Sequence, residues 1–273
     1  MSFIFDGINA FDSPLFIKKS TTDNVINVLT GSTITVTTGT ATPVANFSDF
    51  NASTLVTCTP DSVFNPHVQL KIDFGVGTTR YFDTLILSNL TCSGSGMSSI
   101  SIGYSTDGVH VTYFKTSAIS GNYDFICIKG TNASAYRYAH IDFTTVLGDV
   151  FTIGELFLCY SANLVYVTMP AGVMSIVNNY FEKVAYNELI DGGFIGAITS
   201  NKYGATYGYE WLPKADRDNM ETLKNTKTDF AVIPSPQTTN EIYHVYWINQ
   251  WNFSFTDKYQ SAGWTGTVEV REL

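Results

Sequence analysis

The chain has 273 residues, a formal net charge of −9 and 14% charged residues against 44% hydrophobic ones. Soluble globular proteins carry roughly 25% charged residues, and an acidic, charge-poor chain is excluded as a binder that grips nucleic-acid phosphates. No run approaches the roughly 18 continuous apolar residues of a membrane span, and the wealth of Tyr, Phe, Thr and Ser suits sheets better than helices.

The start, MSFIFDGINAFDSPLF, has two acids and no basic leader region, so it is not expected to act as a secretory signal. Residues 1–24 read as an N-terminal arm. From about Val25 to Tyr160 the chain reads as short strands separated by turns. STITVTT alternates, and HVQLKIDF places Val68, Leu70, Ile72 and Phe74 on one face. YFDTLILSNL is a buried run, and SSISIGYSTDGVHVTYFK is two strands joined at Asp107-Gly108, a strong turn dipeptide. YRYAHIDFTT and VFTIGELFLCY follow. Regular strands with turns between them imply a sandwich or barrel.

Residues 161–273 change character. Strand-like pieces broken by glycine lead to PKADRDNMETLKNTK, the clearest helix of the chain, expected over 213–225. Pro213 suits its first turn, Asp216 and Asp218 suit its positive end, and Leu212, Ala215, Asn219 and Leu223 recur at helical spacing with Met220 beside them. The end, WINQWNFSFTDKYQSAGWTGTVEVREL, alternates twice around a turn at Gly263. Trp247, Trp251, Phe253 and Phe255 are expected on one face of a strand, and Trp264, Gly266, Val268 and Val270 on one face of the next. The four tryptophans, Trp211 among them, read as core rather than as a sugar-stacking platform.

No catalytic motif is present: no His-Glu-x-x-His, no Gly-x-Ser-x-Gly and no Walker loop. GVGTTR at Gly75–Arg80 reads as a hairpin turn, not a phosphate loop, and GGFIG at Gly192–Gly196 as a bend. His67, His110, His140 and His244 are scattered. Cys58, Cys92, Cys127 and Cys159 lack metal spacing and leave two readings open, buried free thiols or one disulfide. Asp6, Asp12, Asp23, Asp73 and Asp83 offer oxygen ligands for calcium without a dense acidic loop. No catalytic, cofactor-binding or metal-binding residue is assigned, no cofactor is expected, and the chain is read as not an enzyme.

Two resemblances extend this reading. The ordered pieces Ser105–Val109, Arg137-Tyr138 and Ile153-Gly154-Glu155-Leu156 make residues 25–160 similar to the discoidin, or galactose-binding-like, jelly rolls. No cysteine stands near the start of this segment to form the disulfide many members have, and their ligand loops have no clear counterpart. Residues 161–273 resemble the β-barrel or sandwich with a flanking helix of tailed-phage tail-tube and distal-tail proteins, through Tyr209-Glu210-Trp211-Leu212, DFAVIPSP and GWTGTVEVREL. The resemblances imply a mainly β virion protein of a phage tail or baseplate, made in the host cytoplasm. It would form a homo-oligomeric ring or tube with other tail proteins, its terminal hairpin closing the barrel and supplying stacking edges. The alternative they imply is a carbohydrate-binding module or adhesin for a host surface glycan. DNA would pass such a ring without specific binding, and Glu182, Glu188, Asp191 and Glu241 are the candidate lumen acids.

Overall fold

The computed structural model describes all residues except 1–2, 8–13, 23, 50, 52, 63–65, 95, 133, 167–172, 189–193, 235–240 and 259–260. The chain is mainly β, and its strands form three sheets. The first sheet contains β1 (Phe3–Asp6), β4 (Thr40–Thr42), β5 (Val56–Thr59), β7 (Thr84–Cys92), β10 (Tyr123–Lys129), β12 (Phe151–Ile153) and β13 (Glu155–Cys159). Its order is β1-β10-β7-β12-β5-β4, with β13 also on β7. The second sheet runs β3-β6-β11-β8-β9, from β3 (Thr33–Thr38), β6 (His67–Asp73), β11 (Tyr138–Thr145), β8 (Met97–Ser105) and β9 (Thr112–Ala118). The two face each other as a jelly-roll β-sandwich around a core that includes Leu70, Ile72, Leu85, Leu87, Ile100, Ile126, Ile141 and Phe143.

Register explains which residues enter that core. His67–Asp73 alternates half-buried and buried, with Val68, Leu70 and Ile72 inward, as period two requires. β7 is buried at each of its first five residues. Leu85 and Leu87 point into the sandwich, and Ile86 points out of it into a second core.

That second core joins the sandwich to the third sheet. The third sheet has the order β14-β2-β17-β18-β20-β16-β15, with β19 also on β20. Its strands are β2 (Leu15–Lys18), β14 (Leu164–Val165), β15 (Val173–Glu188), β16 (Phe194–Leu212), β17 (Phe230–Ile233), β18 (Tyr243–Trp247), β19 (Ser254–Lys258) and β20 (Ser261–Glu272). Leu15, Ile17, Ala231 and Ile233 pack against Ile86, Phe125, Cys127, Phe157 and Cys159 of the sandwich. Phe16, Phe230 and Val232, on the opposite face, pack under α1 (Lys214–Asn225) with Met220 and Leu223. The stretch read as an arm therefore donates β1 to the sandwich and β2 to the third sheet, where β2 lies between β14 and β17.

Several expectations change in detail. The third sheet is open, with β14 and β15 at its ends, so of the two forms expected the closed barrel is not the one adopted. The helix forms where expected, with Pro213 at its N-cap, but it buries Asp216, Met220 and Leu223, while Ala215 and Asn219 are exposed. In the terminal hairpin β20 is an interior strand, held by β16 on one side and by β18 and β19 on the other, while β19 pairs with no further strand among the described residues. The expected strand through Trp247 and Phe255 is interrupted between β18 and β19, which leaves Phe255 57% exposed. There Asn249 and Asn252 replace the strand's own backbone: Glu269 N donates to Asn249 Oδ1 and Thr267 N to Asn252 Oδ1, both at 3.0 Å. Gly263 lies inside β20, not at the turn, and a Cβ there would stand 2.5 Å from the Trp211 backbone.

Candidate binding face and assembly ribbon

Alternation leaves the outer face of the second sheet to polar residues. Across it Lys71, His140, Gly103 and Tyr113 form one row, since His140 pairs with Lys71 and Gly103, and Gly103 with Tyr113. Gly103 has no room for a Cβ, because Tyr113 Cδ1 would lie 2.9 Å from it. The Tyr113 side chain therefore passes over β8. Its hydroxyl donates to Asp142 Oδ2 at 3.0 Å on β11 and accepts from Gln69 Nε2 at 2.7 Å on β6. Thr37 extends the chain by donating to Gln69 Oε1 at 2.8 Å, and His67 stands 3.4 Å from Asp142. Burial and the Asp142 charge push the Tyr113 hydroxyl up to about 12, so it remains a donor.

His140 sits in this row, 2% exposed, with no hydrogen-bond partner on either ring nitrogen. Burial pushes its pKa down to about 4, helped by the Lys71 charge, so the imidazole is neutral near pH 7.

One row further along, Tyr138 is framed by charge. The Arg137 guanidinium bonds Asp73 through Nε and Nη2, both at 3.0 Å, and stands 4.7 Å from the Tyr138 ring centre. Such a fork-to-fork pair fixes the planar guanidinium. It holds the Asp73 carboxyl below the ordinary carboxylate range. Gly108 packs against the other part of the ring, where a Cβ would meet Tyr138 Cζ at 3.1 Å.

The Asp107-Gly108 turn brings Ser105, Asp107 and His110 together, the residue types of a nucleophilic triad. The connectivity is wrong for one. Asp107 takes both bonds, from Ser105 Oγ at 2.8 Å and with His110 Nδ1 at 2.6 Å, so the serine hydroxyl addresses a carboxylate and not a base. Among the described residues no group of three or more His, Cys, Asp or Glu could hold a metal ion. Asp6 bonds Lys115 and Ser117, Asp73 bonds Arg137, and Asp83 accepts from Ser161. Asp12 and Asp23 lie outside the described residues. The four cysteines are free thiols, Cys58, Cys127 and Cys159 buried. Gly75–Arg80 forms a turn that ends at the Arg80–Tyr136 bridge, with Val76 exposed and no helix following. His244 faces Asp229 at 2.5 Å.

The third sheet offers a different feature. β15 and β16 pair from Val173↔Tyr209 to Glu188↔Phe194. β20 covers β16 only from Gly204 to Leu212. Residues 194–203 and their partners on β15 therefore run on as a two-stranded ribbon, roughly 30 Å long at the usual strand rise. The outer edge of β15 pairs with no strand among the described residues. A two-stranded ribbon is marginal alone in water, and an open edge invites a further strand.

The candidate lumen acids do not gather at one described place. Glu182 and Glu188 lie on β15, paired in register with Asn201 and Phe194. Glu241 is exposed before β18 and accepts a hydrogen bond from Tyr243, and Asp191 lies outside the described residues. The ribbon and the reach of Tyr113 over β8 were both missed in the sequence. Glycine at 103, opposite an aromatic in a hairpin, was the available signal for the second.

No family model matches the chain, and no curated protein matches it. Solved structures that it is similar to include CpGH89CBM32-6, produced by Clostridium perfringens: 16% identity, 50% of this chain, 99% of that one, TM-score 0.40. CBM32-1 from a family 31 glycoside hydrolase of the same organism is 17% identical over 49% of this chain and 96% of its own, TM-score 0.38. The chain also spans 26% of a GH29 fucosidase from Ruminococcus gnavus in complex with fucose, at 17% identity, 50% of this chain and TM-score 0.38. At these identities and TM-scores the likenesses assign the chain neither a family nor a ligand.

Proposed function

We propose that the chain is a non-catalytic structural subunit that self-associates through the ribbon, a component of a phage tail or baseplate ring. The observation that carries this reading is the ribbon of β15 and β16. A two-stranded arm whose outer edge pairs with no strand among the described residues gains most by adding a strand from a second copy. Glu182, Glu188, Asp191 and Glu241 are proposed to contribute negative charge to the ring's inner wall, where like charge lets DNA pass. The test is the mass of the purified protein by light scattering, with electron microscopy of the particles. The full chain is expected as a ring. A variant with residues 184–199 replaced by Asn-Gly, which joins the paired Lys183 and Ser200 by a two-residue turn, is expected as a folded monomer. A full chain that stays monomeric at every concentration removes the reading.

A second reading has its own observation, Tyr113 reaching over β8 to Asp142 and Gln69 beside the charge-framed Tyr138, on a face rich in donors and acceptors. Such a face suits a neutral polyhydroxylated ligand, stacked on a ring and hydrogen-bonded at its edges. We propose that the jelly roll displays this face toward a surface glycan. Binding to a glycan array by the full chain, lost in Tyr113→Ala and kept in the ribbon variant, is the expected pattern. An array without hits discards this second reading and leaves the first untouched.

A further inference from the structure

We infer that the outer edge of β15 in one copy docks on the free edge of β19, in the terminal hairpin of the next copy. This inference rests on the ribbon reading above and names the surface that the ribbon meets. Joining β15 to β15 is an isologous contact and closes at two copies. A ring needs a second, different edge on every copy.

The other sheet edges among the described residues are poor acceptors. β14 has two residues, β4 three and β1 four, and short edge strands make weak templates. Asp6 at the end of β1 bonds Lys115 and Ser117 of β9, so those two edges are tied to each other. The pairing of β3 with β6 shifts between Val36 and Thr38, an irregularity of the kind that blunts an edge. β19 pairs with β20 in unbroken register from Ser254↔Thr265 to Lys258↔Ser261. Its other side meets no strand among the described residues.

The hairpin is built to stand off the sheet. At its base the register of β16 with β20 shifts between Tyr209 and Leu212. There Trp211 takes φ +60°, a strained conformation for a bulky residue, and its backbone fills the space that a Cβ at Gly263 would need. Pairing of β16 with β20 ends at Leu212↔Trp264, so Ser261–Gly263 run past β16. The Arg217 guanidinium of α1 stands 4.6 Å from the Trp264 ring centre, and Phe255 packs edge-on against the same ring at 5.5 Å. Phe255 is 57% exposed, an apolar anchor held in place beside an open edge. Position fits a head-to-tail contact as well. β19 joins β20 at one end, and the ribbon begins at the other, where Gly204 meets Arg271. β19 offers five residues, about 17 Å at the usual rise, which the ribbon is long enough to cover.

The experiment is light scattering of two full-length variants, apart and mixed. Phe255→Glu puts a charge on the acceptor edge and keeps the ribbon. The variant with residues 184–199 replaced by Asn-Gly keeps β19 and lacks the ribbon. Each alone is expected at the mass of a single chain. Mixed in equal amounts they are expected to double in mass and go no further, since one copy supplies the ribbon and the other the edge. Phe255→Leu, which keeps an apolar anchor, is expected to form rings as the native chain does. Rings or dimers of Phe255→Glu alone overturn the inference, and so does a mixture that stays at the single mass. Either result, beside native chains that still form rings, leaves the ribbon reading standing. A native chain that is monomeric at every concentration removes both.

Discussion

The two sheets of the jelly roll share one core but obey different demands. In the second sheet one face is buried, and β6 reads His-Val-Gln-Leu-Lys-Ile-Asp, alternating half-buried and buried. In the first sheet the other face is covered as well, by β2 and β17 of the third sheet. Its β13 reads Glu-Leu-Phe-Leu-Cys and is buried at all five positions. Alternation marks a strand with one wet side, and a continuous apolar run marks one with none. The lesson is that the second sheet has a face free for recognition, and the first has spent both faces on holding the molecule together.

The comparison is broken most severely at the doubly covered sheet. Phe157 is fully buried in the core between sandwich and third sheet. Phe157→Ala is expected to cost about 3–5 kcal/mol, measured by denaturant unfolding. A fragment of residues 1–160 retains β2 but lacks β14 and β17, its partners. It is expected to unfold cooperatively but with the apolar face of β7, β10 and β13 bared and with dye binding to match. A fragment that binds no hydrophobic dye contradicts the shared core.

A smaller effect comes from the buried imidazole of the free face. His140 has a folded pKa of about 4, below the roughly 6.5 of an unfolded histidine. The unfolded chain thus binds the extra proton first as pH falls. The contribution of neutral His140 is complete above about pH 6.5 and is lost as pH falls toward the folded value. The linked loss between pH 6.5 and 4 is on the order of 2–3 kcal/mol. In His140→Phe this part of the slope is expected to vanish, as stability measured across the window shows. An unchanged slope refutes the assignment.

Arg137→Ala, which opens the bidentate pair with Asp73, is expected to cost up to about 1 kcal/mol, since both partners reach solvent. The Asp73 carboxyl is held below its unfolded value. Its contribution is therefore present above about pH 4 and lost as pH falls through the folded pKa. In Arg137→Ala the folded pKa moves back toward the unfolded one, so this acid-linked loss is expected to shrink and to end at a higher pH. The smallest change is Thr35→Ala on the outer face of β3, expected within about 0.5 kcal/mol. Comparing it with Phe157→Ala by the same unfolding assay measures the asymmetry between the sheets directly. A large loss at Thr35 shows the outer face to be covered.

Much of this was written locally. Val68, Leu70 and Ile72 declare an inward face by spacing alone, and Asp107-Gly108 declares its turn because glycine reaches the required φ of +77° without a Cβ clash. The α1 boundaries followed from Pro213 and the residues after it. Its buried stripe followed only in part: Met220 and Leu223 are buried as expected, but Ala215 and Asn219 are exposed and Asp216 is buried instead. The interruption after Trp247 was also hidden, since Asn249 and Asn252 act through bonds to Thr267 and Glu269, some 15–20 residues away. The binding face was legible as polar but not as a site: Tyr113 reaches Asp142 only because Gly103 lies between them in the assembled sheet.

By itself the sequence determined that the chain is mainly β, where most strands of the sandwich lie, and that one helix follows Pro213, because period, turn chemistry and capping act over a few residues. Only the tertiary structure decided that β2 crosses to the third sheet, that β20 is interior, that the sheet stays open and that β15 and β16 run on as a ribbon. Those outcomes rest on pairings between residues far apart in the chain, such as Ile17 with Ala231 and Val268 with Tyr207. Backbone hydrogen bonding is the same for every residue type, so no local pattern names the partner strand.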